Sequence, residues 1–285
     1  MPHESPRTLW ELVAGQAHEQ LRPHVLSYTG YAERAATPMR RMEVPTSAIP
    51  LIVSLGPSLL VNGVRRQSFV GGIDDAVAIT EFVGDQLGIQ VNVTPLGARR
   101  LLGLPMIELA RQIVPLEALL GPDVHRLVER LNEAPDWAAR FALLDAMLLA
   151  RLAVAAVPAP EIEHAWARLQ ATGGAVSVGA LAAEVGWSRR HLAGRFRAEI
   201  GLAPKAVARI LRFERVTTTL RAQQGTGLAE IAYACGYADQ AHLNRDFRAF
   251  AGTTPTDFVA RLLPDGAGVA ARDFPNVQDG LARAA

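Results

Sequence analysis

The 285-residue sequence predicts an α+β chain, with a small barrel or sandwich of β-strands accompanied by helices and then an all-α domain. Three observations predict this. Residues 23–95 carry short apolar runs punctuated by Gly, Pro and Asn-Gly; residues 98–154 place apolar side chains three and four apart; and the last third of the chain repeats one helical pattern. The expected division is 1–157, 158–263 and a partly ordered tail at 264–285, which is rich in Gly, Ala and Asp.

Taken in order, Leu9 to Leu21 is expected to be a leading helix, and Pro23 to Tyr31 a strand. Leu51 to Leu55 and Ser58 to Val61 are strands flanking Gly56-Pro57, and Asn62-Gly63 is a hairpin signal, because both residues tolerate the left-handed backbone of a type I′ turn. Ala76 to Val83 and Ile89 to Thr94 read as two further strands, parted by Gly84-Asp85 and Gly88. The pattern turns helical from Ala98, over Pro105 to Ile113, Val124 to Leu131 and Asp136 to Val154. The stripe Phe141, Leu143, Leu144, Met147, Leu148 and Leu152 is apolar enough either to pair with a copy of itself in a homodimer or to dock on the strands. Val157-Pro158-Ala159-Pro160 forbids continued helix and marks a linker, and Glu161 to Ala171 opens the C-terminal domain, closed by Thr172-Gly173-Gly174.

Charge divides along the same line. Residues 1–158 hold 14 Arg and Lys against 16 Asp and Glu, whereas residues 159–263 hold 13 against 9. A basic C-terminal domain behind an acidic N-terminal one is the polarity expected where only the former meets phosphate. No run of eighteen uncharged apolar residues occurs, so no membrane span is expected. Met1-Pro2-His3-Glu4-Ser5 lacks the basic and apolar regions of an export signal, and the single cysteine, Cys235, permits no internal disulfide, so a cytoplasmic location is expected.

The repeat is the most informative feature. One copy reads Leu181-Ala182-x-x-Val185-Gly186-Trp187-Ser188, then His191-Leu192, Phe196-Arg197, Gly201 and Pro204. The other reads Ile231-Ala232-x-x-Cys235-Gly236-Tyr237, Asp239, then His242-Leu243, Phe247-Arg248, Gly252 and Pro255. Each is a short apolar helix, a glycine turn and a polar second helix, the plan of a helix-turn-helix whose second helix enters a DNA major groove. In the first copy Ser177 caps the first helix, Gly186 turns the chain, and Ser188 caps a recognition helix running to Ile200. Leu192 and Phe196 face inward, leaving Arg189, Arg190, His191 and Arg195 outward, with Ala193 and Gly194 small enough for close approach. In the second copy Thr226 and Asp239 are the expected caps, and Gln240, Ala241, His242, Asn244 and Arg245 face outward. Arg, Gln and Asn are the side chains that grip guanine or adenine edges with two hydrogen bonds. The intervening helix, Pro204 to Leu220, would set the spacing, and recognition helices about 34 Å apart enter successive major grooves.

The run from Ile231 to Arg248, closed by Gly252-x-x-Pro255, resembles the signature of the AraC/XylS family of bacterial transcription regulators over roughly residues 160–262. The resemblance implies a seven-helix domain that binds double-stranded promoter DNA through both recognition helices. It carries base reading to Arg190, His191, Ala193 and Gly194, and to Gln240, Ala241, Asn244 and Arg245. Beside these, Ser188, Arg189, Arg195 and His242 are candidate DNA contacts by their outward positions, and both His191 and His242 suit either a phosphate contact or packing within the domain. One departure stands out: the position of Arg245 is held in the first copy by Gly194. A weaker resemblance, in Gly88-Ile89-Gln90-Val91, Pro95-Leu96-Gly97 and Leu101 to Pro105, links the N-terminal half to the cupin-like β domain of a subgroup, where it binds a small-molecule effector or mediates dimerisation. RNA polymerase is an implied partner if the protein is an activator.

No catalytic or metal site is expected, and no cofactor. The N-terminal half has only His3, His18, His24 and His125, none in ligand spacing, and Cys235 falls at an inward helix position that suits a packed residue better than a nucleophile. The competing reading, a DNA-modifying or repair enzyme using the same module, needs a nucleophile or metal cluster outside residues 160–262. Gly71-Gly72 lacks the strand-to-helix setting of a nucleotide-binding loop.

Overall fold

The structure, a computed structural model, describes residues 9–222, 226–263 and 268–271. It has an N-terminal antiparallel sheet domain and a helical C-terminal part. Residues 1–8, and positions 264–267 and 272–285 of the expected tail, lie outside the described residues.

The sheet is built on two long strands, β2 (Val25–Glu43) and β7 (Ala78–Val93), paired along most of their length. Strands β1 (Leu9–Gly15), β3 (Ile49–Ser54), β4 (Leu59–Val61), β5 (Val64–Arg66), β6 (Phe69–Gly71) and β8 (Ile113–Pro115) complete it, in the order β1-β2-β7-β3-β6-β8, with β4 joining β7 and β5 joining β4. The β4–β5 hairpin turns at Asn62 and Gly63, both at positive φ (50° and 76°), as the Asn-Gly signal predicts.

Three sequence expectations are corrected here. The leading helix over Leu9 to Leu21 is instead the edge strand β1 and a 3₁₀ turn at Glu19–Leu21, because residues 9–15 find backbone partners in β2, Leu9 opposite Arg34 to Gly15 opposite Tyr28. The two strands expected at 76–83 and 89–94 are one, β7, running through Gly84 and Gly88. Gly84 takes φ +79° opposite Ala35, beside an irregularity in β2, so it bends the ribbon without ending it. Gly88 leaves room for the Tyr31 ring, and a side chain there would also come within 2.9 Å of the Val53 carbonyl. The helix expected over Pro105 to Ile113 is only a 3₁₀ turn, Met106–Glu108, followed by β8.

Helix α1 (Pro95–Leu102) leaves β7 almost at once, with Thr94 Oγ1 accepting the Gly97 N–H at 2.9 Å. After α2 (Leu116–Leu120) and α3 (Asp123–Glu133) comes α4 (Trp137–Ala153), capped by Asp136. Its apolar stripe docks on the sheet. Phe141, Leu144 and Leu148 are buried, Phe141 stacks on Tyr28 at 5.6 Å, and the Tyr28 hydroxyl donates to Asp145 at 2.8 Å. Gly15 and Gly30 are the reason it fits: a Cβ at Gly15 would lie 2.6 Å from the Phe141 ring, and one at Gly30 would strike Trp137.

Beyond residues 154–159, seven helices follow among the described residues: α5 (Pro160–Ala171), α6 (Val178–Glu184), α7 (Arg189–Ile200), α8 (Pro204–Ala222), α9 (Leu228–Ala234), α10 (Gln240–Ala251) and α11 (Pro255–Ala260). Phe213 on α8 lies 5.0 Å from both Phe247 and Phe250, and Phe247 meets Phe258 edge-on, so the inward positions of the second copy close around the connecting helix. Burying such a ring contributes about 1.5–3 kcal/mol.

The two halves share one continuous apolar core. The end of α7 meets the N-terminal half at Gly201, where a Cβ would stand 2.8 Å from Ile73 Cγ2 and 3.1 Å from the Met106 carbonyl. Residues 268–271 return to the sheet: Val269 is buried and its carbonyl accepts the Met42 N–H at 2.8 Å.

Candidate nucleic-acid interface

Both copies build their second helix in the same way. The Ser177 hydroxyl accepts the Ala180 N–H to start α6, and Ser188 accepts the His191 N–H at 3.2 Å to start α7. Asp239 accepts the His242 N–H at 2.6 Å to start α10. Such a cap contributes roughly 1 kcal/mol and fixes where the helix begins. The expected cap at Thr226 is not the one found: Gly227 occupies the N-cap of α9, without a side-chain cap bond, because the helix begins one residue later than the spacing suggested. Gly186 and Gly236 make the turns at φ +69° and +80°.

Leu192, Phe196, Leu243 and Phe247 are buried, each no more than 1% exposed. The opposite faces carry the residues singled out from the sequence. Ser188, Arg189, Arg190, His191, Gly194 and Arg195 are exposed and Ala193 is half-buried; Gln240, Ala241 and Arg245 are exposed, with His242 and Asn244 half-buried. Ser188, Arg190, His191, Gly194 and Arg195 together line one surface concavity. The Asn244 Oδ1 is shielded and makes no hydrogen bond, a polar atom left without a partner within the chain.

The histidines repeat a contact that the sequence pattern did not specify. His191 meets the Trp187 ring edge-on at 4.5 Å, and His242 meets Tyr237 edge-on at 5.1 Å. The aromatic after each turn glycine therefore seats the histidine at the start of the recognition helix. Helix α8, 19 residues and about 28 Å long, separates the copies.

Several charged residues at this surface were not legible in the sequence. Arg209 of α8 donates to Asp246 of α10 at 2.8 Å and lies over the Phe250 ring, tying the second recognition helix to the connecting helix. Glu184 accepts from Arg168 and His164 of α5, and these partners draw its carboxyl down to about 2. Glu199 of α7 accepts from Arg99 of α1 at 3.2 Å and lies 3.7 Å from Arg195. Apart from Arg195 and Glu199, one helical turn apart, these partners are 16 to 100 residues apart, so no local spacing announces them.

Cys235 is 2% exposed at the end of α9, and burial pushes its thiol pKa up, which keeps it protonated and a poor nucleophile. No group of three His, Cys, Asp or Glu suited to a metal occurs among the described residues. No helix among them is long and apolar enough to cross a membrane.

A second feature lies between the halves. A cavity of about 1120 Å³ is lined by β-strand residues such as Tyr31, Glu33, Arg41 and Gln90, by Glu214, Thr217 and Arg221 of α8, and by Leu262, Leu263 and Gly268. Glu33 and Arg41 form a buried ion pair at 2.6 Å. Burial raises the Glu214 carboxyl, partly offset by hydrogen bonds from Ser47.

The sequence from 181 to 261, which holds both copies, matches the family described as a helix-turn-helix domain. Residues 181–261 are an AraC-type helix-turn-helix domain. The AraC-type domain thus spans α6 to α11, with α5 packed on it from outside the matched region. Among solved structures, the chain is similar to a transcriptional regulator with an AraC-type DNA-binding domain from Chromobacterium violaceum, 27% identical over 38% of this chain and 96% of that one, with a TM-score of 0.34. It is also similar to the C-terminal domain of AraT, a response regulator from Geobacillus stearothermophilus, 17% identical over 43% and 99% of the two chains, with a TM-score of 0.35. A third likeness is to ToxT from Vibrio cholerae with an unsaturated fatty acid bound, 10% identical over 95% and 100%, with a TM-score of 0.45. No curated protein matches the chain.

Proposed function

We propose that this protein is a sequence-specific transcription regulator that reads promoter DNA through α7 and α10. The observation that carries the reading is the duplicated surface of the AraC-type domain: two capped helices, each locked inward by a Leu–Phe pair, present polar and cationic side chains outward. On this reading Arg190, Gln240, Asn244 and Arg245 read base edges, while Ser188, Arg189, His191, Arg195 and His242 touch the backbone, and Ala193, Gly194 and Ala241 allow close approach. We place the DNA-binding unit at 158–263 and the control unit at 1–157. The function assigned is regulatory and cytoplasmic, with no enzymatic step, and RNA polymerase is a partner if the protein activates.

We further assign the interdomain cavity to a small-molecule effector. Its walls come from both the sheet and the helix that joins the two motifs, so an occupant would touch the element that spaces them. The packing of Phe141 on Tyr28 favours docking of α4 on the sheet over its use as a homodimer face.

The test begins with the wild-type chain and a pool of random duplexes. Selection should yield a bipartite site, with log affinity falling steeply against log salt, by about 0.9 per phosphate contacted. Arg245→Ala should then cost about 1–3 kcal/mol and relax base preference at one position only. Equal weakening on every sequence would remove Arg245 from base reading, and absence of selected DNA would refute the function.

A further inference from the structure

We propose that Glu199 is a charge switch on the DNA-facing surface of α7, set by Arg99 of the N-terminal half. The inference rests on the reading of α7 as a helix that faces DNA.

Glu199 lies in the last turn of α7, with its side chain only 12% exposed. One carboxylate oxygen, Oε2, accepts a hydrogen bond from Arg99 Nε at 3.2 Å. The other, Oε1, lies 3.7 Å from Arg195 Nη2, one helical turn back. That separation is an ion pair but too long for a hydrogen bond. Arg195 remains half exposed and borders the concavity shared with Arg190 and His191. A single negative charge therefore stands between two guanidinium groups, one belonging to the sheet domain and one to the DNA-facing surface.

While Arg99 holds Oε2, the carboxylate is shared and Arg195 is left loosely paired, free to swing to a phosphate. Without Arg99, Arg195 becomes the nearest cation to a poorly hydrated carboxylate. The pair then closes to hydrogen-bond distance and withdraws the guanidinium from DNA. Docking of α1 on α7 thus raises DNA affinity by releasing Arg195.

The second copy lacks this device. The counterpart of Glu199 there is Phe250, packed against Phe213, and the counterpart of Arg195 is Asp246, bonded to Arg209 within the helical part. The connection to the sheet is therefore peculiar to the first motif. Its position gives it a signal to carry. Gln86, Gln90 and Asn92 of β7 line the interdomain cavity, and β7 runs into α1 within two residues. Displacement of β7 by an occupant would move Arg99.

The test uses the full chain and a duplex selected by the wild-type protein. Arg99→Met should weaken binding and lower the salt slope by a little under one. The gap to wild type should therefore shrink about threefold between 50 and 200 mM salt, the effect of one lost phosphate contact. Adding Glu199→Gln to Arg99→Met should restore both affinity and slope, and Glu199→Gln alone should bind at least as tightly as wild type. In an Arg195→Ala background neither substitution should have any effect. Arg99→Gln, which removes the charge but keeps a polar side chain of moderate length, serves with the same expected outcomes if Arg99→Met does not fold. The proposal is overturned by a slope that never changes, by Arg99→Met acting equally in the Arg195→Ala background, or by weaker binding of Glu199→Gln. A wild-type chain that selects no DNA overturns the parent reading itself.

Discussion

Replacing Gly201 by Ala is a direct test of how the two halves meet. Gly201 follows α7 and takes φ +104°, a conformation that costs a residue with a Cβ about 1–3 kcal/mol. The new methyl would also stand 2.8 Å from Ile73 Cγ2 and 3.1 Å from the Met106 carbonyl. Both residues are 1% exposed, so neither can swing aside, and overpacking of this kind costs about 1–3 kcal/mol more. Gly186→Ala and Gly236→Ala isolate the backbone contribution. They sit at φ +69° and +80°, and a Cβ added at either would have no atom closer than 3.7 Å, so each should cost only about 1–2 kcal/mol. Gly201→Ala should therefore cost roughly 2–6 kcal/mol, the sum of the two contributions. Scanning calorimetry would register the difference as a midpoint lower by roughly 2–4 °C per kcal/mol. If Gly201→Ala proves no more destabilising than Gly186→Ala, the first recognition helix does not abut the N-terminal half, and the route from Arg99 to Glu199 fails with it.

Two other outcomes follow from packing and charge. Leu144→Glu with Leu148→Glu puts two carboxylates where the side chains are 1% and 2% exposed, so the N-terminal sheet should unfold rather than yield a folded monomer; circular dichroism with sedimentation would decide, and a folded double mutant would refute the docking of α4. Glu214 has its carboxyl pKa raised by burial, so the folded state holds its proton to higher pH than the unfolded chain does, and its contribution to stability falls as pH rises from the ordinary Glu value through the raised one. Glu214→Gln should consequently be more stable than wild type at neutral pH, with the advantage vanishing towards pH 4 in urea titrations; an advantage that persists unchanged in acid would contradict that cause.

Local and long-range determinants divide cleanly in this chain. Ser177, Ser188 and Asp239 cap the helices that the sequence assigns to them, and Gly186 and Gly236 turn where a left-handed residue is needed. Caps and glycine turns act over three or four residues, so the spacing of the side chains suffices to identify them. The Leu–Phe pairs are legible for the same reason, since residues four apart share a helix face whatever lies beyond. Strands are different. Whether residues 9–15 extend, and whether β7 stops at Gly84, depends on β2 lying alongside, and nothing within either segment encodes that partner.

The sequence by itself determined the duplicated helix-turn-helix and the inward and outward faces of its second helices. Tertiary structure alone decided that Phe141 and Trp137 of α4 pack on Gly15 and Gly30, that a cavity opens between the sheet and α8, and that Glu199 is shared by Arg99 and Arg195. The first set follows from torsions and hydrogen bonds closed within a few residues. The second requires side chains far apart in the sequence to meet, 100 positions in the case of Arg99 and Glu199, and such meetings are selected by burial of the whole core rather than by any local preference.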